Sequence, residues 1–340
     1  MTDITALLQP IQGCVTRTTL RRLGRIIMAM LAMTGRVTML GLARWAGPGG
    51  SYRSVQRFFY TVLPWGQIFW QFFCHHLWQP QEVYLLAGDE SVVSKAGKKT
   101  FGLDRFFSSL LQRTVPSLSF FVLSLISVGE RRSFPLWVEQ VVRSPEEKAA
   151  CRARKEAKQK RSAAPRRRPG RPKGSRNKNK ADIPLSAELQ RVQKMVQSLQ
   201  QLVVDTLGLT YLVLDGHFGH QPALQMARQC GLQLISKLRA NAALYFPYTG
   251  PYQGRGRRRL FGSRVDYRHL PDSYLKATTV EGEIETRTYQ AQLRHHQFEQ
   301  LLNVVILLRT NLRTGAWAWP CCSSPAIWPC PGTSWWTITA

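Results

Sequence analysis

Two aspartates stand at the ends of apolar runs, where reacting groups collect. Tyr211-Leu212-Val213-Leu214 runs into Asp215, and Gly216-His217-Phe218-Gly219-His220 then turns the chain. A short apolar run bounded by turn residues predicts a buried strand. Pro222 suits the first turn of a helix, and residues 223–228 have helical character. Asp215 is thus expected at the carboxyl end of a strand, the edge where open α/β sheets bind ligands. An aspartate there also serves as a helix N-cap or turn residue, so its position alone leaves both roles open. Residues 82–87, then Gly88-Asp89-Glu90-Ser91, repeat the shape. The segment Lys95-Ala96-Gly97-Lys98-Lys99-Thr100-Phe101-Gly102 follows, a glycine-and-lysine stretch suited to a phosphate-bearing partner. If the two strands are neighbours, Asp89 and Asp215 meet although 126 positions separate them. Facing carboxylates repel, and a close pair is normally held by divalent metal. That is the arrangement of two-metal phosphodiester chemistry.

A chain of 340 residues with 44% hydrophobic content can build one large domain or two ordinary ones. Lys and Arg number 47 against 20 Asp and Glu, a formal charge of +27. An excess of that size points to a polyanion. A ribosomal or cationic membrane protein is the other reading, against which stand ten Trp and a globular core. Apolar runs fall short of the roughly 20 residues of a membrane span, so no membrane partner is expected. The first residues lack the basic-then-apolar pattern of a signal peptide. Seven cysteines at irregular spacing predict reduced thiols and a cytoplasmic protein.

The elements around the aspartates follow in order. Residues 1–79 are expected to be helical. Gly47-Pro48-Gly49-Gly50 separates two short helical stretches, and Ser51 can cap the second. That second stretch carries Arg53 and Arg57, and the pair resembles a helix-turn-helix DNA reader. A plain helical hairpin with solvated arginines is the other reading. Residues 117–128 and 133–138 predict two strands around a turn at 129–132. Residues 145–182 are expected to form a basic disordered insertion. Within it, residues 151–180 hold fourteen Lys and Arg against one acid, Glu156. Gly170-Arg171-Pro172, flanked by Arg166, Arg167, Arg168 and Lys173, resembles an AT-hook that lies in a narrow minor groove. A linker that binds any phosphate backbone is the alternative. A helix is expected over 187–199, with Leu189, Val192, Val196 and Leu199 on one face. Residues 232–238 predict a strand that 239–245 continues. Residues 243–300 predict a β-rich insertion opened by the basic loop 254–259, and 303–308 one more buried strand.

Taken together, these stretches resemble a bacterial insertion-sequence transposase of the DDE type, over about residues 14–314. The most specific parts are Gly88-Asp89-Glu90-Ser91 with Gly97-Lys98-Lys99-Thr100, and Leu214-Asp215-Gly216-His217-Phe218. The resemblance implies an α/β, ribonuclease H-like mixed sheet over 80–315, with a β-rich insertion and an N-terminal helical DNA-binding region. It implies that Asp89 and Asp215 are catalytic and hold metal, Asp89 bridging two ions of Mg²⁺ or Mn²⁺ and Asp215 holding one. Water would cut at the transposon end, and the freed 3′-hydroxyl would attack target DNA. The DNA contacts fall to Arg53, Arg57, Lys98, Lys99, Arg166, Arg167, Arg168, Arg171, Lys173, Arg239, Arg257 and Arg258. A homodimer on DNA and association with the bacterial nucleoid are implied as well.

The family's third motif, Y-x2-R-x3-E-x6-K, is absent from this chain. Glu281, Glu283 and Glu285 lie in the expected hairpin region and do not replace its glutamate. Without a third carboxylate, cleavage is expected to be severely impaired. Two other classes stay open: a non-catalytic DNA-binding remnant, and a different ribonuclease H-like nuclease. Residues 316–340 break from what precedes them. They hold five of the ten Trp and three of the seven Cys, with neither strand nor helix period. The expectation is a frameshift product. Ala316-Trp317-Ala318-Trp319-Pro320-Cys321-Cys322 is encoded GCN-TGG-GCN-TGG-CCN-TGY-TGY. Regrouped from the third base, those codons give an apolar-Gly-apolar-Ala-apolar-Leu strand. One shift near Gly315 accounts for both the tail and the missing motif. Sequencing of the gene onward in the alternative frame is expected to reveal Y-x2-R-x3-E-x6-K within a few codons. A closed frame, or one without the motif, refutes the shift.

Overall fold

A computed structural model describes residues 4–97, 99–163, 183–239, 241–252, 254, 256, 258–315 and 317–318. The chain divides into two compact units. One comprises residues 1–84, 124–138 and 198–208, the other residues 85–123, 139–197 and 209–340.

The first unit opens with helices α1 (Ile4–Leu7), α2 (Arg17–Ala32), α3 (Met39–Trp45), α4 (Tyr52–Phe59) and α5 (Trp65–His76). Side chains cap three of them. Thr16 accepts from the Thr19 N–H at 3.3 Å, Thr38 from Gly41 at 3.0 Å, and Ser51 from Ser54 at 3.4 Å. Leu23 and Ile26 of α2, Leu42 of α3, Val55 and Phe58 of α4, and Ile68 of α5 share one apolar core. The two short helical stretches expected on either side of Gly47–Gly50 are α3 and α4. The exposed face of α4 carries Arg53 and Arg57.

Twelve strands and three further helices follow among the described residues: β1 (Tyr84–Ser94), β2 (Asp104–Ser108), β3 (Arg113–Ser127), β4 (Arg132–Gln140), α6 (Pro145–Ala163), α7 (Ala187–Val203), β5 (Tyr211–Leu214), α8 (Gln221–Gln229), β6 (Gln233–Ser236), β7 (Leu244–Pro247), β8 (Phe261–Arg264), β9 (Leu275–Glu281), β10 (Ile284–His295), β11 (Leu302–Asn311) and β12 (Trp317–Ala318). They form two sheets. The first runs β2-β3-β1-β5-β6, with β4 also paired to β3. Its β1–β5 and β5–β6 ladders are parallel and its β2–β3 ladder is antiparallel. The second sheet runs β12-β11-β10-β7-β8, with β9 on β10. The mixed sheet with its helices is a ribonuclease H-like α/β fold. Among the described residues, no helix is long and apolar enough to cross a membrane.

Two expectations give way to the structure, on β6 and on the basic insertion, and two placements, of β2 and of β11, come only from it. β2 is an extra strand in a stretch too short and polar to announce itself. It exists because Asp104–Ser108 finds a ladder with residues 113–117. β6 stops at Ser236 instead of continuing to residue 245, because its partner β5 is four residues long and supplies no ladder beyond Leu214. The buried strand near 303–308 is β11, and it pairs with β10 in the second sheet. There Leu302, Val304 and Ile306 stand opposite Leu293, Ala291 and Tyr289, all buried. Over Pro145–Ala163 the basic insertion is the helix α6, not a disordered stretch. Ser144 and Glu147 form a capping box there: the Ser144 N–H donates to Glu147 Oε2 at 2.8 Å and the Glu147 N–H to Ser144 Oγ at 3.2 Å. Glu147 also takes Arg191 of α7 at 2.6 Å. Ala, Glu, Lys, Arg and Gln then carry the helix by propensity. Residues 164–182 lie outside the described residues. So does most of the tail, of which Trp317 and Ala318 add a two-residue strand to β11.

The first sheet is tightly packed at Gly88 of β1. A Cβ there would meet Leu214 Cδ2 at 2.8 Å and Phe121 Cζ at 2.9 Å. Both side chains are buried, so neither can swing into solvent. Gly88→Ala is expected to lower unfolding free energy by about 1–3 kcal/mol, the usual cost of overpacking. Chemical denaturation checks this, and an unchanged midpoint would contradict the packing described.

Candidate active site at the strand ends

The parallel registers bring three polar residues into a row. Gly88 pairs with Leu214, and Leu214 with Ser236. The residues that follow are Asp89, which lies within β1 instead of at its end, and Asp215 and Lys237, just past β5 and β6. Neighbouring strands lie about 4.8 Å apart, so the two aspartates are adjacent at the carboxyl edge of the parallel strands.

Asp215 is held from several sides. Its backbone is extended, and its carboxylate caps the 3-10 turn Gly216–Phe218 by accepting the His217 N–H at 3.1 Å. The capping role and the strand-end role therefore coexist. Ser236, 3% exposed, donates its hydroxyl to the Asp215 carbonyl at 2.7 Å. Phe218 anchors the turn in the core, edge-on to Phe121 at 6.2 Å between ring centres. Gly219 is obligatory in this arrangement, since a Cβ would sit 2.4 Å from the Lys237 carbonyl oxygen. The His220 ring accepts the Ala223 N–H at 3.3 Å and so caps α8, whose first turn contains Pro222. Asp89 is exposed and accepts the N–H of its own neighbour Glu90 at 2.8 Å. Glu90 in turn accepts the hydroxyl of the buried Ser119.

The electrostatics of the edge are those of crowded anions. Burial pushes the Asp215 carboxyl above its ordinary range. The His217 N–H and ring charge oppose this, and the Asp89 and Glu188 charges add to it. Glu188, from the first turn of α7, lies 3.4 Å from the His217 ring nitrogen Nε2. That contact holds the Glu188 carboxyl below its usual value and raises His217. His220 is lowered, first by burial and then by the His217 charge. Among the described residues, no Lys or Arg forms an ion pair with Asp89 or Asp215. Adjacent hard carboxylate oxygens in such a setting suit Mg²⁺ or Mn²⁺. The donor set is nonetheless short. Among the described residues, no group of three or more His, Cys, Asp or Glu is arranged to hold a metal ion.

The expected phosphate contacts are spread more widely. Lys99 and Arg239 are exposed, one in the turn beyond β1 and one just past β6. Arg258 is exposed before β8. Lys98, Arg166, Arg167, Arg168, Arg171, Lys173 and Arg257 lie outside the described residues. Glu283 and Glu285 pair with Arg313 and Arg287, which agrees with leaving them out of the site. Three site neighbours escape a reading of the sequence. Lys237 looks like part of a strand until the register is known, and Glu188 like the solvated face of an amphipathic helix. His217 adjoins Asp215 in sequence, but its partner does not.

Comparison with curated proteins returns no match. Residues 10–299 match the family described as DDE superfamily endonuclease, a span that includes Asp89, Asp215 and both sheets up to β10. With that span covering most of its length, and with two aspartates adjacent at the edge of a ribonuclease H-like sheet, the chain belongs to the DDE superfamily of endonucleases, enzymes that act on DNA with divalent metal ions.

Proposed function

We propose that this chain is a transposase-type endonuclease of an insertion sequence, in which Asp89 and Asp215 hold magnesium or manganese against a DNA phosphate. One observation carries the reading. The pairing of Gly88 with Leu214, the residues just before Asp89 and Asp215, supports a shared carboxylate site without a Lys or Arg ion pair among the described residues, in a chain of net charge +27. Divalent ions bound there supply Lewis acidity at the scissile phosphate and lower the pKa of water. The chain's own groups do the rest. The His217 N–H and the Ser236 hydroxyl hold Asp215 in place. Lys237, in line with the aspartates, reaches toward the phosphate as a point charge. Lys98, Lys99 and Arg239 take neighbouring phosphates, and Arg53 and Arg57 of α4 grip flanking duplex. Arg166, Arg167, Arg168, Arg171 and Lys173, with Arg257 and Arg258, add backbone affinity. Cutting at the element's end frees a 3′-hydroxyl, which attacks target DNA. The working unit is a homodimer assembled on DNA, in the cytoplasm at the nucleoid.

Cleavage by this chain is weak in our reading, because two carboxylates do not complete a two-metal site. The other class is a non-catalytic DNA-binding remnant that competes with an intact transposase for the same ends.

Residual Mn²⁺-dependent nicking of supercoiled DNA is expected to fall to background in Asp89→Asn and in Asp215→Asn, with DNA affinity unchanged. Nicking that survives both substitutions overturns the site. DNA affinity measured against salt supplies a second check. Deleting residues 164–182 removes eight Lys and Arg. The slope of log affinity against log salt is expected to flatten by roughly 0.9 for each phosphate that the segment neutralises. An unchanged slope means the affinity resides elsewhere.

A further inference from the structure

We propose that Glu188 positions the Asp215 carboxylate by holding His217. The link has two contacts and one rigid support. The His217 main-chain N–H donates to Asp215 Oδ1 at 3.1 Å, and its ring Nε2 stands 3.4 Å from Glu188 Oε1. Glu188 occupies the first turn of α7. That turn is capped by Ser186, which accepts the Leu189 N–H at 3.3 Å. Leu189, Val192, Met195 and Val196 are each at most 2% exposed, so this part of the helix is a fixed post in the core.

The turn that carries the donor is not fixed by itself. Gly216–Phe218 is three residues long, and Gly216 and His217 are exposed. Ser236 holds its entrance at the Asp215 carbonyl, and Phe218 holds its exit in the core. Neither acts on His217, the residue whose N–H aims at the carboxylate. The Glu188 contact does. Other groups near the ring are Asp215, the Glu90 charge and the His220 ring, whose centre lies 6.5 Å away. Of the three carboxylates, Glu188 alone is anchored on a buried helix. The arrangement is an outer carboxylate gripping a histidine so that an inner carboxylate keeps its direction. Outer partners of metal ligands commonly contribute on the order of 10–100-fold to metal affinity.

This inference rests on the reading that Asp215 holds a divalent ion, and the experiment separates the two. Mn²⁺ affinity is measured on the full chain by electron paramagnetic resonance titration, for the wild type, Asp215→Asn, Glu188→Gln, His217→Ala, His217→Gln and the Glu188→Gln/His217→Ala double variant. Asp215→Asn is expected to abolish binding. Glu188→Gln and His217→Ala are each expected to weaken it about 10–100-fold. The double variant should be no weaker than His217→Ala, because both changes break one link. His217→Gln keeps an N–H at the same reach and should restore most of the affinity. If Asp215→Asn abolishes binding while Glu188→Gln and His217→Ala bind like the wild type, the positioning role is overturned and the metal site stands. Additive losses in the double variant also overturn it, since Glu188 would then act on the ion independently of His217. Wild-type affinity in Asp215→Asn removes the metal site itself, and this inference with it.

Discussion

The structure depends on an apolar ladder strong enough to hold like charges together. At strand spacing, two carboxylates repel by about 1 kcal/mol in water and about 3 kcal/mol at the effective dielectric near a protein surface. Beneath Asp89 and Asp215 lie Leu86, Leu212 and Leu214, at most 3% exposed. Each buried leucine contributes roughly 1.5–3 kcal/mol. The ladder outweighs the repulsion, so the aspartates stay adjacent because of what lies under them. Gly88 lets Phe121 and Leu214 close over β1 one residue before the charges begin. A site of this kind is assembled by the core and electrostatically relieved by what binds to it.

The remaining elements follow from keeping that edge open and directed. β5 and β6 are each four residues long, so the β5–β6 ladder ends just before Asp215 and Lys237. Beyond the ends, Ser236, Phe218 and Gly219 pack the Asp215 turn against the β6 exit, while His220 starts α8 immediately. The second sheet has a different character. Its β10–β11 pair is antiparallel, with ten residues in register and one face apolar. Its acidic residues, such as Glu283 and Glu285, are matched by arginines.

Much of this is legible from residue types alone. An apolar, β-prone run over residues 117–127 announces β3, whose Ser117, Ser119, Phe121, Leu123 and Leu125 are all buried. The apolar run before Asp215 announces the end of β5, because a short buried strand and its turn are both local signals, whereas β1 continues past Asp89 to Ser94. What pairs with what is not local. β11 has the pattern of any buried strand, and only long-range pairing assigns it to the second sheet. Lys237 and Glu188 gain meaning through a register and a helix packing that no window of sequence contains. The basic stretch misleads for another reason. Net charge argues for disorder over 145–163, yet Ser144, Pro145 and Glu147 spell a helix start, and here the local signal wins over composition.

The charge order along α6 carries one more implication. Glu146 and Glu147 stand in its first turn, and its later positions are crowded with Lys and Arg. Acid at the start and base at the end is the order that the helix dipole favours. The same order makes the helix a one-way handle. Its root is already neutralised by the Glu147–Arg191 pair and offers a phosphate little. Further along, Arg152, Arg154 and Lys155 are exposed on a rod that rises about 1.5 Å per residue. A polyanion should therefore engage α6 beyond its root. The anchored end is tied through Arg191 to α7, the helix on which Glu188 also stands.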